Sequence, residues 1–267
     1  MMAGRHLKLA LIQLEIAPGD PPLNLHEAQG LLAAARAQGA QLAILPELWT
    51  CGGDVEDFRR LAEKMHGPTV GILREAAADL EIGIIAGSIP EQHGELVYNT
   101  SLLIAQDGEL VGRYRKTHLA PFMGEDRYFI AGKDLAVFRL CDCNVGVLLS
   151  FELSFPEMAR GLALSGAELI AVPALWPRAQ AEQWKILLRA RGLENQCFIA
   201  GVNGIQGRKA RGLSRLVGPT GKTLAFADES QQVIVREINL AQINRVRARI
   251  NALDLRRPEL YGGMGKN

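Results

Sequence analysis

Residues 145–161 read "VGVLLSFELSFPEMARG". An apolar, strand-like run stops at a small hydroxyl side chain, Ser150. An acid, Glu152, and a Phe-Pro-Glu turn follow, and a helical pattern starts near Pro156. This order presents one side chain at the end of a strand, where open α/β sheets hold their ligands. Ser150 is therefore a nucleophile, a substitute for one, or an ordinary serine at a strand end. A serine-hydrolase elbow needs glycine two residues before and two after the nucleophile. Leu148 and Glu152 occupy those places, so that mechanism is disfavoured.

The same alternation extends in both directions. Upstream, "LKLALIQL" (7–14), "AQLAILPE" (40–47) and "EIGIIAGS" (81–88) read as strands. Helices are predicted between them, over 24–38 with Asn24 and Glu27 spaced as a capping box, and over 68–80 with proline in the first turn. "LVYNTSLLIAQDGELVGRYRKTHL" (96–119) predicts two strands about an Asp-Gly turn. Downstream come a strand over 167–174, a helix over 181–196, short strands within 197–203, 214–221, 223–227 and 232–238, and a basic helix over 241–250. Strands that alternate with helices and then follow one another suit a layered α/β fold. No repeat, biased tract or linker divides the 267 residues, which read as one domain spanning 1–267.

Thirty Lys and Arg stand against 29 Asp and Glu, a formal charge of +1. No global field favours nucleic acid or an anionic membrane, which leaves a small molecule or another protein as the expected partner. The four cysteines, at 51, 141, 143 and 197, do not form the framework of a secreted disulfide protein, and a reducing cytosol is the simplest setting. The apolar stretch near the start is interrupted by Lys8 and Gln13, so it reads as a first strand, not an export signal or membrane span. A cytoplasmic location is the expectation. "GVNGIQGRKARG" fits neither phosphate-loop nor dinucleotide spacing, and "CDC" at 141–143 lacks the second thiol pair of a zinc site. No metal or cofactor is expected. Cys51 and Cys197 read as small buried side chains.

Two charged residues sit where an apolar pattern should not hold them unpaired. Glu47 closes "LAILPEL", where Pro46 ends ladder bonding and leaves the carboxylate at a sheet edge; alone it reads equally as a solvated terminal acid. In "GRYRKTHLAP", alternation puts Tyr114, Lys116 and His118 on one face and Arg113, Arg115 and Thr117 on the other. Lys116 on an inner face needs a partner, while on an exposed strand it needs none. His118 is read as a structural hydrogen-bonding residue.

Taken together, "LPEL", "YRKTHL" and "VGVLLSFELSFPEMAR" resemble the nitrilase superfamily of carbon-nitrogen hydrolases. The likeness continues through "GAELIAVPALWP", "WKILLRARGLENQCFIAGVN" and "RRPELYG". The resemblance implies a single-domain α/β fold, a four-layer α-β-β-α sandwich that pairs with a second copy as a homodimer or higher assembly. It also implies hydrolysis of a small amide to carboxylate and ammonia by a Glu-Lys-Cys site. Carried over by position, Glu47 is the general base and Lys116 the cation beside the tetrahedral intermediate. Ser150 stands where the family has its nucleophilic cysteine, and Glu125, in "GEDRYFIAGKD", orients the substrate amide. The backbone N–H of Phe151 is expected to help hold the oxyanion. Trp176, in "VPALWP", is expected either to wall the substrate pocket or to pack in the core.

The serine changes what this site can do. A thiol ionises near ~8.5 and an alcohol nearer to water's ~15.7, a gap that makes full deprotonation harder by about 10 kcal/mol. The chain as written is expected to bind substrate and turn it over very slowly or not at all. Two origins are weighed: an inactivating Cys-to-Ser replacement, favoured by the intact Glu47, Lys116 and Glu125, and a natural pseudoenzyme that binds a ligand. Nitrile hydrolysis and N-carbamyl amine hydrolysis would use the same residues. Relatives acting on ω-amides of dicarboxylic acids tend to carry arginine four residues after the nucleophile to grip a carboxylate. Ser154 stands there, which leans toward a neutral or aliphatic amide.

Overall fold

A computed structural model describes residues 5–53 and 58–261. Two β-α-β-α-β units form its framework. In the first, the strands His6–Gln13, Leu42–Ile44 and Gly83–Ile85 run parallel, joined by the helices Pro21–Ala37 and Pro68–Asp79. In the second, the parallel strands Cys143–Val147, Leu169–Ala174 and Phe198–Asn203 are joined by the helices Pro156–Leu164 and Ala181–Asn195. Parallel neighbours need such crossovers, which is why the apolar runs alternate with helical patterns in the sequence.

Antiparallel strands extend both sheets outward. Gln232–Asn239 pairs along the whole of His6–Gln13, and Leu96–Ile104 continues from Gly83–Ile85 with Ile89–His93 and Leu110–Arg115 on it. Arg215–Val217, Thr223–Phe226 and Val137–Leu140 complete the second sheet.

Side-chain alternation divides the interior. Leu7, Leu9, Leu11, Leu42, Ile44, Ile85 and Leu103 face the second sheet in one cluster. The intervening Ala10, Ile12, Ala43, Ile84, Leu102 and Ile104 pack on Leu32, Ala35, Leu73 and Ala77 of the first pair of helices. On the far side, Trp184, Leu188 and Leu162 of the second helix pair cover the other sheet. A period of two along each strand, with both faces apolar, thus yields the expected helix-sheet-sheet-helix layers. Among the described residues, no helix is long and apolar enough to cross a membrane.

Several sequence expectations are corrected. The first helix begins at Pro21 and is capped by Asp20, whose Oδ1 accepts from Leu23 N at 3.2 Å. Asn24 is inside the helix, buried, and bonds Ala17 and Thr50 instead of forming a box with Glu27. The strands Ile89–His93 and Val137–Leu140 were not expected; both are short edge strands, and the first contains Pro90, which an edge tolerates. "CDC" is the tip of a hairpin: Leu140 pairs Cys143 across a two-residue loop in which Cys141 and Asp142 both have positive φ, as a type I′ turn requires.

One glycine is fixed by close approach. Gly87 has φ +58° and lies against the Leu45–Pro46 backbone; a Cβ there would come within 1.8 Å of the Pro46 carbonyl oxygen. That carbonyl accepts from Ser88 N, and the Ser88 hydroxyl accepts from Leu48 N, so the contact clamps the loop that carries Glu47. Replacing Gly87 with Ala is expected to cost more than about 3 kcal/mol, from steric overlap added to a disfavoured backbone region. Urea denaturation of Gly87→Ala beside the parent chain measures it.

Candidate active site

The carboxyl ends of parallel strands in both sheets meet at one place. The strand Leu42–Ile44 leads to Glu47, Cys143–Val147 leads to Ser150, and Leu169–Ala174 leads to Leu175 and Trp176. Lys116 follows the strand Leu110–Arg115, and Glu125 opens a short 3-10 turn, Glu125–Arg127. Asn99, Ser101 and Leu103 alternate onto the inner face of their strand, so the polar site is the continuation of the layer between the sheets.

At its centre lies the Lys116 ammonium, only 1% exposed. Its Nζ is 2.8 Å from Glu47 Oε1 and 2.7 Å from Glu125 Oε1. Burial works against the charge, but the two carboxylates outweigh it and raise the lysine pKa above its ordinary value. Glu47 also accepts from Asn99 Nδ2 at 3.0 Å and, on its other oxygen, from the Leu175 N–H at 3.3 Å. Glu125 Oε2 accepts from the Ala120 N–H at 2.7 Å. Burial pushes the Glu125 pKa up; Lys116 opposes this, and the nearby Glu47 charge adds to it. The cluster therefore places one cation between two carboxyl groups, of which Glu125 takes a proton more readily than an ordinary glutamate.

Ser150 has φ +46°, a left-handed conformation that only a tight turn imposes on a non-glycine residue. Its residue is buried, and among the described residues its hydroxyl has no hydrogen-bond partner. The 3-10 turn Ser150–Ser154 makes its first internal bond from Glu152 N to Leu149 O, which leaves the Phe151 N–H outside the turn's own bonding. The Phe151 ring packs edge-on between Phe122 and Phe155. Trp176 is buried in the core: its ring centroid is 5.4 Å from that of Trp184, and its indole N–H donates to Gln180 O at 3.0 Å.

What ties the Ser150 turn to Lys116 is Glu152. This fully buried carboxylate accepts from Tyr114 Oη, Thr117 N, Thr117 Oγ1 and His118 N on one oxygen, and from Leu149 N on the other, all within 2.7–3.0 Å. Its donors bracket Lys116 on one side and Ser150 on the other. Neither Glu152 nor Asn99 is marked by the sequence as a functional residue. An acid two residues after Ser150, and an Asn-Thr-Ser run inside an apolar strand, were the available signals. The shared face expected for Tyr114 and Lys116 is present, but His118 lies past the strand's end and is part exposed.

Cys143 starts the strand whose other end leads to Ser150, so it sits at the far end of that strand from the site. Burial pushes Cys51, Cys143 and Cys197 up to about 12 and Cys141 up to about 11.

Glu152 gives a stability prediction with a defined sign. Burial favours its neutral form, but the bonds from His118, Leu149 and Tyr114 and the Lys116 charge prevail and lower its pKa. Its contribution is then present above the unfolded value, roughly 4.3, and is lost as pH falls through the depressed folded value. Glu152→Gln should lose about 3 kcal/mol at pH 7, because an amide accepts less strongly and cannot serve donors on both sides. Its loss of stability between pH 5 and 2 should also be shallower than the parent's, which denaturant titrations across that range will record.

The sequence model for carbon-nitrogen hydrolases matches residues 8–248. A protein named 2-oxoglutaramate amidase, from Bacillus subtilis (strain 168), is 31% identical over 95% of this chain and 98% of its own. A CN-hydrolase superfamily protein from Xanthomonas campestris superposes with a TM-score of 0.87 at 31% identity, covering 95% of this chain and 98% of the other. An amidase from Nesterenkonia sp. superposes with a TM-score of 0.86 at 28% identity, covering 98% and 97%. With the layers, strand ends and likeness all in agreement along nearly its whole length, this chain belongs to the carbon-nitrogen hydrolase family of the nitrilase superfamily.

Proposed function

We propose that this site is built to hydrolyse a small amide to a carboxylate and ammonia, and that Ser150 occupies the place of its nucleophilic thiol. The observation that carries the reading is the buried Lys116 ammonium held between Glu47 and Glu125, joined through Glu152 to the turn that bears Ser150. The names of the relatives from Bacillus subtilis and Nesterenkonia sp. support an amide as substrate.

With cysteine at 150 the steps balance as follows. Glu47 takes the thiol proton as sulfur attacks the amide carbon. The carbonyl oxygen becomes an oxyanion beside Lys116 and the Phe151 N–H, and Glu47 returns the proton to nitrogen as the carbon-nitrogen bond breaks and ammonia leaves. Water, deprotonated by Glu47, then attacks the thioester carbon; the carbon-sulfur bond breaks, the acid leaves, and Glu47 returns the proton to sulfur. Glu125, with its raised pKa, holds the substrate amide in line. With serine at 150, the proton transfer to Glu47 is uphill by about 10 kcal/mol relative to the thiol, so binding outlasts turnover. A homodimer fits this reading, as the family's sandwich extends across a second copy.

The second reading is a ligand-binding pseudoenzyme, favoured by the serine itself. Ser150→Cys separates the two. The amidase reading expects ammonia release from a panel of amides to rise at least about 10³-fold over the parent, well short of the full ionisation penalty because transfer is concerted. No gain with any amide would leave the binding module standing. A nitrile yielding acid, or a carbamyl amine yielding carbon dioxide, would redirect the substrate class.

The same variant carries a second expectation. Because burial holds the four natural thiols at about 11 to 12, iodoacetamide at pH 7 should alkylate the thiol introduced at 150 first and leave the others largely intact. Peptide mapping after a short exposure gives the order of labelling.

A further inference from the structure

Beside the catalytic cluster lies a cavity of about 340 Å³ whose walls include Met123, Leu175, Pro177 and Ala179, with Arg178 and Arg208 also lining it. Leu175 belongs to both sites: its N–H donates to Glu47 Oε2, and its side chain faces the cavity. Met123 likewise lies two residues before Glu125. The cavity therefore shares a wall residue, Leu175, with the surroundings of Glu47.

Its walls are fixed before any ligand arrives. The Arg178 N–H donates to Lys209 O at 2.7 Å, Pro177 bridges Ala210, and the Gly53 N–H donates to Gln206 Oε1 at 3.0 Å, so three loops are stitched together around it. Among the described residues that line it, the charged side chains, Arg178, Arg208 and Lys209, are all cationic. Glu229 is shared between Arg211 at 3.0 Å and Arg178 at 3.7 Å, and among the described residues Arg208 has no acid partner. A cavity with apolar walls and guanidinium groups among its lining suits an acyl chain that carries an anion.

We propose that this cavity is the acyl-tail subsite and that the preferred substrates are amides of extended ω-carboxylic acids, whose distal carboxylate meets Arg208 and Arg178. The proposal rests on the amidase reading for the location of the amide end. It accounts for Ser154: a short diacid monoamide would need its cation four residues after position 150, whereas a longer one reaches the cations on these loops. Arg178 and Arg208 act by binding the tail and take no part in the bond cleavage.

Two measurements test this. Calorimetry with the Ser150 chain should show monoamides of six- to eight-carbon diacids binding more tightly than four-carbon ones. It should also show roughly fivefold tighter binding than for uncharged amides of equal length, the range of a solvent-exposed ion pair. Raising salt to 1 M should erase that preference, and Arg208→Ala should remove most of it while leaving the uncharged amides unchanged. In Ser150→Cys, the same substitution should raise KM for the charged series with kcat little altered. Hydrolysis with no preference for chain length or charge, or a preference that survives Arg208→Ala, overturns the subsite and leaves the amidase reading intact. Charge-selective binding without any hydrolysis in Ser150→Cys supports the subsite and overturns the amidase reading. Failure of every amide to bind overturns both.

Discussion

A protonated amine buried to 1% exposure is the constraint around which this molecule is organised. An ammonium removed from water costs several kcal/mol even after relaxation, and only close, well-placed carboxylates recover it. Lys116 obtains them from two places distant in the chain, Glu47 at the end of a central strand and Glu125 in a 3-10 turn. Each carboxylate has its own backbone donor, from Leu175 and Ala120, so neither depends on the lysine alone for its position. The register of the strands sets the rest. The backbone carbonyl of Asn99 accepts from Lys116 N while its side chain donates to Glu47, which makes one residue of the strand Leu96–Ile104 a gauge for both members of the ion pair.

Glu152 couples the two sheets at this point. Lys116 follows a strand of the first sheet and Ser150 a strand of the second, and the acid's two oxygens collect donors from the segments around each. The backbone on both sides is held in uncommon conformations, φ +46° at Leu48 next to Glu47 and φ +46° at Ser150. Such residues persist only where surrounding contacts fix them. Here the contacts are visible: Ser88 and the Gly87 approach hold the first loop, and Glu152 holds the second turn. The strained positions thus flank the charge cluster.

The parts of this arrangement that were legible in the sequence are those written as periodicity or as a fixed motif. The six central strands and their four crossover helices follow from apolar runs alternating with amphipathic ones, because burial on both faces leaves no other pattern. The edge strand Ile89–His93 was not legible, since it is short, carries Pro90, and draws its stability from pairing with Leu96–Ile104. The cap of the first helix was misread because Asn24 fits a local capping rule yet serves a tertiary one, bonding the carbonyl of Thr50. Glu47 and Lys116 were legible through motif order; their 2.8 Å contact spans 69 positions and no local rule encodes it. Glu152 and Asn99 were passed over for the same reason: their significance lies in partners from other strands. The loops that line the cavity beside Leu175 have no periodicity, so only the folded chain brings Arg178 and Arg208 together.

On the proposed amidase reading, the position of Ser150 within this network accounts for a fold that accepts a hydroxyl where that reading places a thiol. Lys116, Glu47 and Glu125 are locked to one another, and the three acids Glu47, Glu125 and Glu152 to backbone donors, so removing any one strands a buried charge or several donors. Residue 150 contributes none of those bonds; its side chain is small, and its turn is fixed by backbone and by Glu152. An exchange of sulfur for oxygen there leaves every ion pair and every layer contact in place. Integrity of the charged cluster is therefore a property of the fold's stability as much as of its chemistry. On that reading, residue 150 is the one member of the site whose identity is set by reactivity alone.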